Sequence, residues 1–150
     1  MVKFFIYYNK KTSPAKGEAF TRQKRLVAVY EQIGGQKVID QIVDDFYRIM
    51  QTDPKAARCY ATHHGRDIAD SAKKLKAFLS GWTGGPQTYL ETYGHPRLRM
   101  RHAPFAIGQE EAREWLYCMS EALKKSHLDE ELQLKLLGAL SQVAAMLVVK

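Results

Sequence analysis

The residues with the most chemical potential in this chain fall in one short stretch. Between Gly94 and Gly108, Pro96 on one side and Pro104 on the other leave room for about two helical turns at about 3.6 residues each, and those turns read Arg97-Leu98-Arg99-Met100-Arg101-His102. Proline restricts its own backbone and that of the residue before it, so the spacing predicts a short, pinned helix that holds the His102 imidazole in one orientation. A haem asks for a neutral imidazole on one face, an apolar slot, and cations for its propionates. Met100, Phe105 and Ile107 can line such a slot, and Arg99 and Arg101 can meet carboxylates in the two-pronged geometry that guanidinium favours. The same run also reads as a solvated basic loop, and composition alone leans slightly that way.

The elements that must position this stretch are nearly all helical in period. Leu26 to Ile33 forms a short amphipathic piece that stops at Gly34-Gly35. Val38, Ile39, Ile42, Val43, Phe46 and Ile49 mark one face of a second helix. It breaks near Thr52-Asp53-Pro54, where Asp53 can cap and Pro54 can start a new short helix. From Asp67 to Trp82, Ile68, Ala72, Leu75, Leu79 and Trp82 recur at intervals of three and four, with Lys73, Lys74 and Lys76 on the other face. Gly84-Gly85-Pro86 ends that helix. A further helix is expected from about Gln109 to Lys125, with Ala112, Trp115, Leu116, Met119 and Leu123 inward. Ser126 with Asp129 resembles a capping box for a last helix that presents Leu132, Leu136, Leu140, Val143 and Leu147. Strand signals are weak outside the first eight residues, and no internal repeat is visible.

The chain has 150 residues, 45% of them hydrophobic, enough for one ordinary domain with a sizeable core. Its formal charge of +7 suggests a nucleic-acid or membrane partner until the charge is located. Residues 1–27 carry seven basic side chains against Glu18 alone, whereas residues 28–150 carry sixteen against fifteen acidic ones. The excess therefore sits in a basic N-terminal extension, 1–27, and the domain proper, 28–150, is nearly neutral. Cys59 and Cys118 form no CxxC or CxxCH pattern and read as buried, reduced thiols. The opening Met-Val-Lys-Phe-Phe-Ile-Tyr-Tyr is too short for a secretory core and runs into Asn9-Lys10-Lys11. No stretch reaches transmembrane length. The expectation is a cytoplasmic protein without a membrane partner, with the extension as a packed clasp or a basic arm.

The order of motifs carries a family resemblance. Gly34-Gly35, Phe46-Tyr47, Gly84-Gly85-Pro86 with Thr88-Tyr89, the block from Gly94-His95-Pro96 through Arg97-Leu98-Arg99-Met100-Arg101-His102 to Ala103-Pro104-Phe105, and Trp115 with Cys118-Met119 are similar to the group II truncated haemoglobins. The resemblance runs from about Leu26 to the C-terminus, and the block from Gly94 to Phe105 is its most specific part. It implies an all-α, two-over-two helical sandwich around a non-covalent haem b, with His102 as the proximal iron ligand. It implies Tyr47, Tyr60 and Trp115 on the distal side, Ser71 where larger globins usually carry a distal histidine, and Leu75 one turn later. It assigns Lys74, Tyr89, Arg99 and Arg101 to the propionates, and Phe46, Leu79, Met100 and Ile107 to the walls. The loop Ala61-Thr62-His63-His64-Gly65-Arg66 is slightly longer than in some relatives. That puts His63 and His64 near the pocket mouth, either as exposed loop histidines or with one able to swing toward the iron.

The resemblance implies binding of oxygen, nitric oxide, carbon monoxide or peroxide, with hydroxyl and indole donors stabilising the ligand. It further implies nitric oxide or peroxide detoxification, with electrons from an external donor because the chain has no flavin or nicotinamide motif. A monomer or weak dimer is expected. Two rivals are a haem-based gas sensor without turnover and a basic helical nucleic-acid-binding module. The near-neutral domain and the lack of a recognisable binding motif weigh against the second. A zinc site is poorly supported, since histidines 63, 64, 95, 102 and 127 have no Cys or carboxylate cluster to complete a set.

Overall fold

The computed structural model describes residues 29–149, all helices and connections among them. The expected N-terminal extension and its strand-like start lie outside the described residues. The helical elements are α1 (Gly35–Thr52), a 3-10 turn (Pro54–Ala56), α2 (Ala57–Ala61), α3 (Ile68–Trp82), α4 (Thr88–Tyr93), α5 (Leu98–His102), a second 3-10 turn (Ala103–Phe105), α6 (Gln109–Lys125) and α7 (Glu130–Leu147). A helical stretch over residues 29–33 precedes α1. No described helix is long and apolar enough to cross a membrane. The described residues group into two compact units, one made of the chain up to Asp40 with Lys73–Pro96, the other of Gln41–Ala72 with the chain from Arg97 onward.

In the first unit the glycine pairs do the breaking that the sequence predicts. Gly34 adopts φ +107°, and a Cβ there would lie 2.5 Å from a Val38 methyl carbon. Gly85 lets the Tyr30 ring press against the backbone, where a Cβ would meet ring carbons 2.3 Å away. The turn after α3 is held by side chains. Ser80 Oγ donates to the Pro86 carbonyl at 2.8 Å, and Gln87 Nε2 donates to the carbonyls of Gly81 and Gly85 at 3.1 and 3.2 Å. These bonds lead the chain into α4, an element the periodicity does not announce. Tyr89 on α4 is buried, edge-on to Phe78 at 6.3 Å and tilted against Tyr93 at 4.9 Å.

The second unit is built on α6. Its buried residues Ala112, Cys118, Met119, Ala122 and Leu123 repeat at helical spacing, and it packs against α7 through Leu136, Leu140, Val143 and Ala144. α2 and its preceding 3-10 turn also lie on α6, and α5 lies on α7. Asp53 caps the 3-10 turn as expected, accepting the Lys55 N–H at 2.9 Å. Its other carboxylate oxygen accepts the Tyr117 hydroxyl at 2.6 Å, which ties the turn to α6. That bond holds the Asp53 carboxyl below its usual range and, with burial, pushes the Tyr117 phenol up to about 12. The C-terminal end is fixed by the Val149 N–H donating to the Ile107 carbonyl at 2.8 Å.

Two local expectations are corrected. Ser126 does not cap α7: it ends α6, its hydroxyl donating to the Leu123 carbonyl and accepting the Leu128 N–H, while Asp129 precedes α7 without a side-chain cap. The box found instead is at the start of α6, where the Glu111 carboxylate accepts the Gly108 N–H at 3.0 Å. Trp115 and Leu116 are half-buried rather than fully inward. On α1, Asp45 is buried and ion-paired with Arg48 one turn later. Cys59 and Cys118 are buried free thiols, as expected, with burial raising them to about 12 and about 11.

Met119 is 1% exposed between the α6 and α7 layers, whereas Leu134 on α7 is 63% exposed. Met119→Ala is expected to lower unfolding free energy by about 2–5 kcal/mol through the cavity it leaves. Leu134→Ala should change it by no more than about 0.5 kcal/mol. Urea denaturation of both variants checks the contrast, and equal losses would contradict this packing.

Candidate haem site

The site begins with a backbone carbonyl. α5 is only five residues long, and the residues flanking His102's two short helical turns, Arg97 and Ala106, both take left-handed conformations with φ of +42° and +49°. Such conformations cost non-glycine residues about 1–2 kcal/mol each, so the surroundings must impose them, as happens where a side chain is held for use. Within this frame His102 Nδ1 lies 2.7 Å from the Leu98 carbonyl oxygen. A carbonyl only accepts, so Nδ1 carries the proton and Nε2 keeps its lone pair. Burial holds the His102 pKa below that of a free imidazole, and the Arg66 charge acts the same way. The ring is thus neutral at pH 7 and half-buried, edge-on to Phe105 at 6.3 Å.

On α1 and α6 a second group of side chains gathers around Phe46, which is fully buried. Tyr47 stands edge-on to it at 4.9 Å and Trp115 at 5.1 Å. Tyr47 is 7% exposed, and burial raises its phenol far above the ordinary range, so its hydroxyl keeps its proton. Among the described residues, neither the Tyr47 hydroxyl nor the Trp115 indole N–H has a hydrogen-bond partner within the protein. The alternative in which Tyr47 spends its hydroxyl on a backbone carbonyl is therefore not realised. Two donors flanking one aromatic ring and left for a third party are what a distal ligand pocket needs.

The remaining expected residues are placed as follows. Tyr60, on α2, is 41% exposed. Ser71 and Leu75 on α3 are half-buried, and Leu79 is buried. Arg99, Met100 and Arg101 are exposed, with Met100 58% so, and Ile107 is half-buried. Lys74 and Tyr89 belong to the other unit, where the Lys74 ammonium lies 5.6 Å from the Tyr93 ring centre.

A large apolar side chain left open beside His102, a neutral imidazole with Nε2 available, and two uncommitted donors fit a haem. His102 would hold its iron and Met100 would lie against its face. The donor set does not suit a bare metal ion, since among the described residues no three His, Cys, Asp or Glu side chains gather into a metal site.

The periodicity leaves two contributors unnoticed. Glu114 on α6 accepts the Arg58 N–H at 2.9 Å, with the Cys59 N–H at a longer 3.5 Å, and so anchors the first turn of α2. Its signal in sequence is only an acidic residue on a helix. His63 is not an exposed loop histidine: it is half-buried, with its ring edge-on to Tyr47 at 5.8 Å. Its Nδ1 lies 3.1 Å from the Cys59 carbonyl and 3.2 Å from Thr62 Oγ1. Burial lowers its pKa, and the charges of Arg66 and His102 add to the effect. His64 is exposed.

Three comparisons with known proteins bear on this geometry. The sequence model of a family described as bacterial-like globin matches residues 28–148. A group 2 truncated hemoglobin of Bacillus subtilis, YjbI, is 38% identical over 117 residues, covering 78% of this chain and 85% of that protein. A group II 2-on-2 hemoglobin from Agrobacterium tumefaciens superposes with a TM-score of 0.77 at 36% identity, covering 80% of this chain and 92% of that one. A truncated oxygen-avid haemoglobin from Bacillus subtilis does so with a TM-score of 0.70 at 38% identity, covering 79% and 97%.

Glu114→Ala removes the acceptor at the start of α2. A hydrogen bond to a charged group is worth about 1.5–3 kcal/mol, an upper bound at this exposed position. Amide exchange at Arg58 is expected to speed up measurably, by no more than about a hundred-fold, while α7 amides stay unchanged. Hydrogen-exchange mass spectrometry reads this directly, and unaltered exchange at Arg58 would show that the carboxylate anchors nothing.

Proposed function

This chain belongs to the bacterial-like globin family, among the group II truncated haemoglobins, and from that premise we propose that it binds one haem b through His102 and holds a diatomic gas against Tyr47 and Trp115. The family supports haem-based binding of gaseous ligands such as oxygen. The observation that carries the finer reading is the pair of uncommitted donors beside Phe46. Haem iron, when bound, supplies the open coordination position at which the gas binds and takes on negative charge.

What the chain contributes follows from its own groups. The Leu98 carbonyl fixes the His102 tautomer and its orientation, as second-sphere partners of ligating histidines do. The Tyr47 phenol, kept protonated by burial, donates at any physiological pH. The Trp115 N–H can only donate, so it favours a ligand that accepts. Tyr60 is proposed as a third donor, and its exposure means it would have to turn inward. Arg99 and Arg101 are proposed to meet the propionates. The parts given to Lys74, Tyr89, Ser71, Leu75, Leu79 and Ile107 rest on the resemblance alone.

A pocket with several donors holds its ligand tightly and releases it slowly. One solved relative is described as oxygen-avid, and the same property is proposed here. Slow release suits chemistry on the bound gas better than transport. The proposed use is conversion of nitric oxide to nitrate or turnover of peroxide, with electrons returned by an external donor, in a cytoplasmic monomer or weak dimer.

Each donor bond is worth about 1.5–3 kcal/mol if the ligand is charged, so Tyr47→Phe and Trp115→Phe should each speed oxygen dissociation roughly ten- to a hundred-fold. Stopped-flow displacement of oxygen by carbon monoxide measures this, and rates within two-fold of the parent would remove these residues from the site. Protein purified with hemin should show a Soret band that His102→Ala abolishes or shifts. If no band forms on the parent chain, the haem reading fails. Mixing the oxygenated protein with nitric oxide should give ferric protein and nitrate, and if neither forms that activity is lost.

A further inference from the structure

Arg66 has no part in the haem reading above, yet it is held where a haem needs a cation. It stands near the end of the loop between α2 and α3. In that loop the N–H groups of Thr62, His63, His64 and Arg66 each bond the carbonyl three residues back, at 3.1, 2.9, 3.1 and 2.9 Å. Gly65, with φ +77°, reverses the chain without steric cost. On the other side of Arg66, the Asp67 carboxylate accepts the Ala69 N–H at 3.0 Å, at the start of α3. The backbone that carries Arg66 is therefore fixed by local bonds before and after it.

From this turn the Arg66 side chain crosses to the segment that follows α5. Its guanidinium carbon lies 4.0 Å from the centre of the Phe105 ring, and Phe105 is edge-on to His102 at 6.3 Å. The contact is electrostatic attraction to the ring face. A phenyl ring carries no lone pair, so the five guanidinium N–H donors are held in place without being used up. Among the described residues no carboxylate pairs with Arg66, which is exposed. Its charge acts in two directions. Burial does most to lower the pKa of His63 and of His102, and the Arg66 charge lowers both further. A charge felt both by the His102 imidazole and by the ring packed against Tyr47 stands at the rim between them. A haem held by His102 would lay its flat ring between those sides, with its carboxylates at the rim.

We propose that Arg66 is a haem-binding residue whose guanidinium pairs with a propionate carboxylate, clasping the loop between α2 and α3 to the segment after His102. The inference rests on the haem reading above. The two oxygens of a carboxylate match two parallel donors of the guanidinium fork. Arg99, exposed on α5, must give up much of its side-chain freedom to bind. Arg66 has already been ordered by its turn and by Phe105, so less entropy is lost when the carboxylate arrives. The contact with Phe105 need not break, because it uses none of the donors. Arg66 is thus a preformed anion clamp on the rim, joined through Phe105 to the segment that carries the proximal histidine.

The test uses the full chain loaded with hemin and follows its transfer to an excess of an apo-globin scavenger by the change in the Soret band. Arg66→Ala should release hemin about ten-fold faster than the parent. Arg66→Gln should do the same, since glutamine keeps a polar group but not the charge, and it serves if alanine unfolds the loop. Lys135→Ala, which removes a positive charge from an exposed part of α7, should match the parent. Circular dichroism checks that each variant stays helical. The same set is then loaded with the dimethyl ester of hemin, which has no carboxylate. With the ester, both Arg66 variants should release within about two-fold of the parent. Resonance Raman spectra of the hemin forms should show the propionate bending band shifted in both Arg66 variants. Parent-like hemin release from a folded Arg66 variant overturns the inference, as does equal acceleration by Lys135→Ala. Equal acceleration with the ester also overturns it, because Arg66 would then act only by packing on Phe105. Each of these results leaves haem binding through His102 intact. Absence of a Soret band in the parent overturns both together.

Discussion

The bond from His102 Nδ1 to the Leu98 carbonyl is the constraint on which the rest of the site depends. An imidazole on a five-residue helix has little to hold it, since so short a helix has no stability of its own. The carbonyl resolves this locally by choosing the tautomer, fixing the ring plane and leaving Nε2 as the one nitrogen with a lone pair. Everything around α5 serves that bond. Prolines stand on either side, Arg97 and Ala106 take left-handed backbone conformations, and α7 packs behind. The Val149 N–H reaches the Ile107 carbonyl and so ties the C-terminal end of α7 to the segment that follows the histidine.

The polarity of the site follows from how donors are spent elsewhere. Several polar side chains of the second unit are committed. Asp53 takes both a backbone N–H and the Tyr117 hydroxyl, Glu114 takes the start of α2, and Glu111 takes the start of α6. Tyr47 and Trp115 stand out because they are held by packing against Phe46 instead of by hydrogen bonds. Ring contacts fix position without using the hydroxyl or the indole N–H. That division of labour keeps donors rigid and yet available, and preorganised donors act strongly on developing charge in an apolar pocket.

The long loop between α2 and α3 gains meaning from the same accounting. Its turns satisfy their own backbone, so the loop is folded before any ligand arrives. His63 spends one nitrogen on that folding and keeps the other. Arg66 spreads its charge over the Phe105 ring, a contact that costs little to break and re-form compared with a buried ion pair.

The helices were legible in the sequence because apolar period survives in any surroundings: Ile39, Ile42, Val43 and Phe46 on α1, or Leu136, Leu140 and Val143 on α7, must share a face whatever they meet. The break at Gly34-Gly35, the Asp53 cap and the proline-bounded helix ending at His102 were also local, and so could be read. The family resemblance carried by the Gly94–Phe105 block supplied what periodicity lacks, namely the expectation that His102 faces a haem. Tertiary structure alone decided the rest. That Tyr47 and Trp115 both pack edge-on against Phe46, that Glu114 reaches a backbone 55 residues away, and that His63 is half-buried while His64 is exposed are all outcomes of packing. A single residue's type says which bonds it can make. Only the arrangement of its neighbours says which of those bonds are already taken.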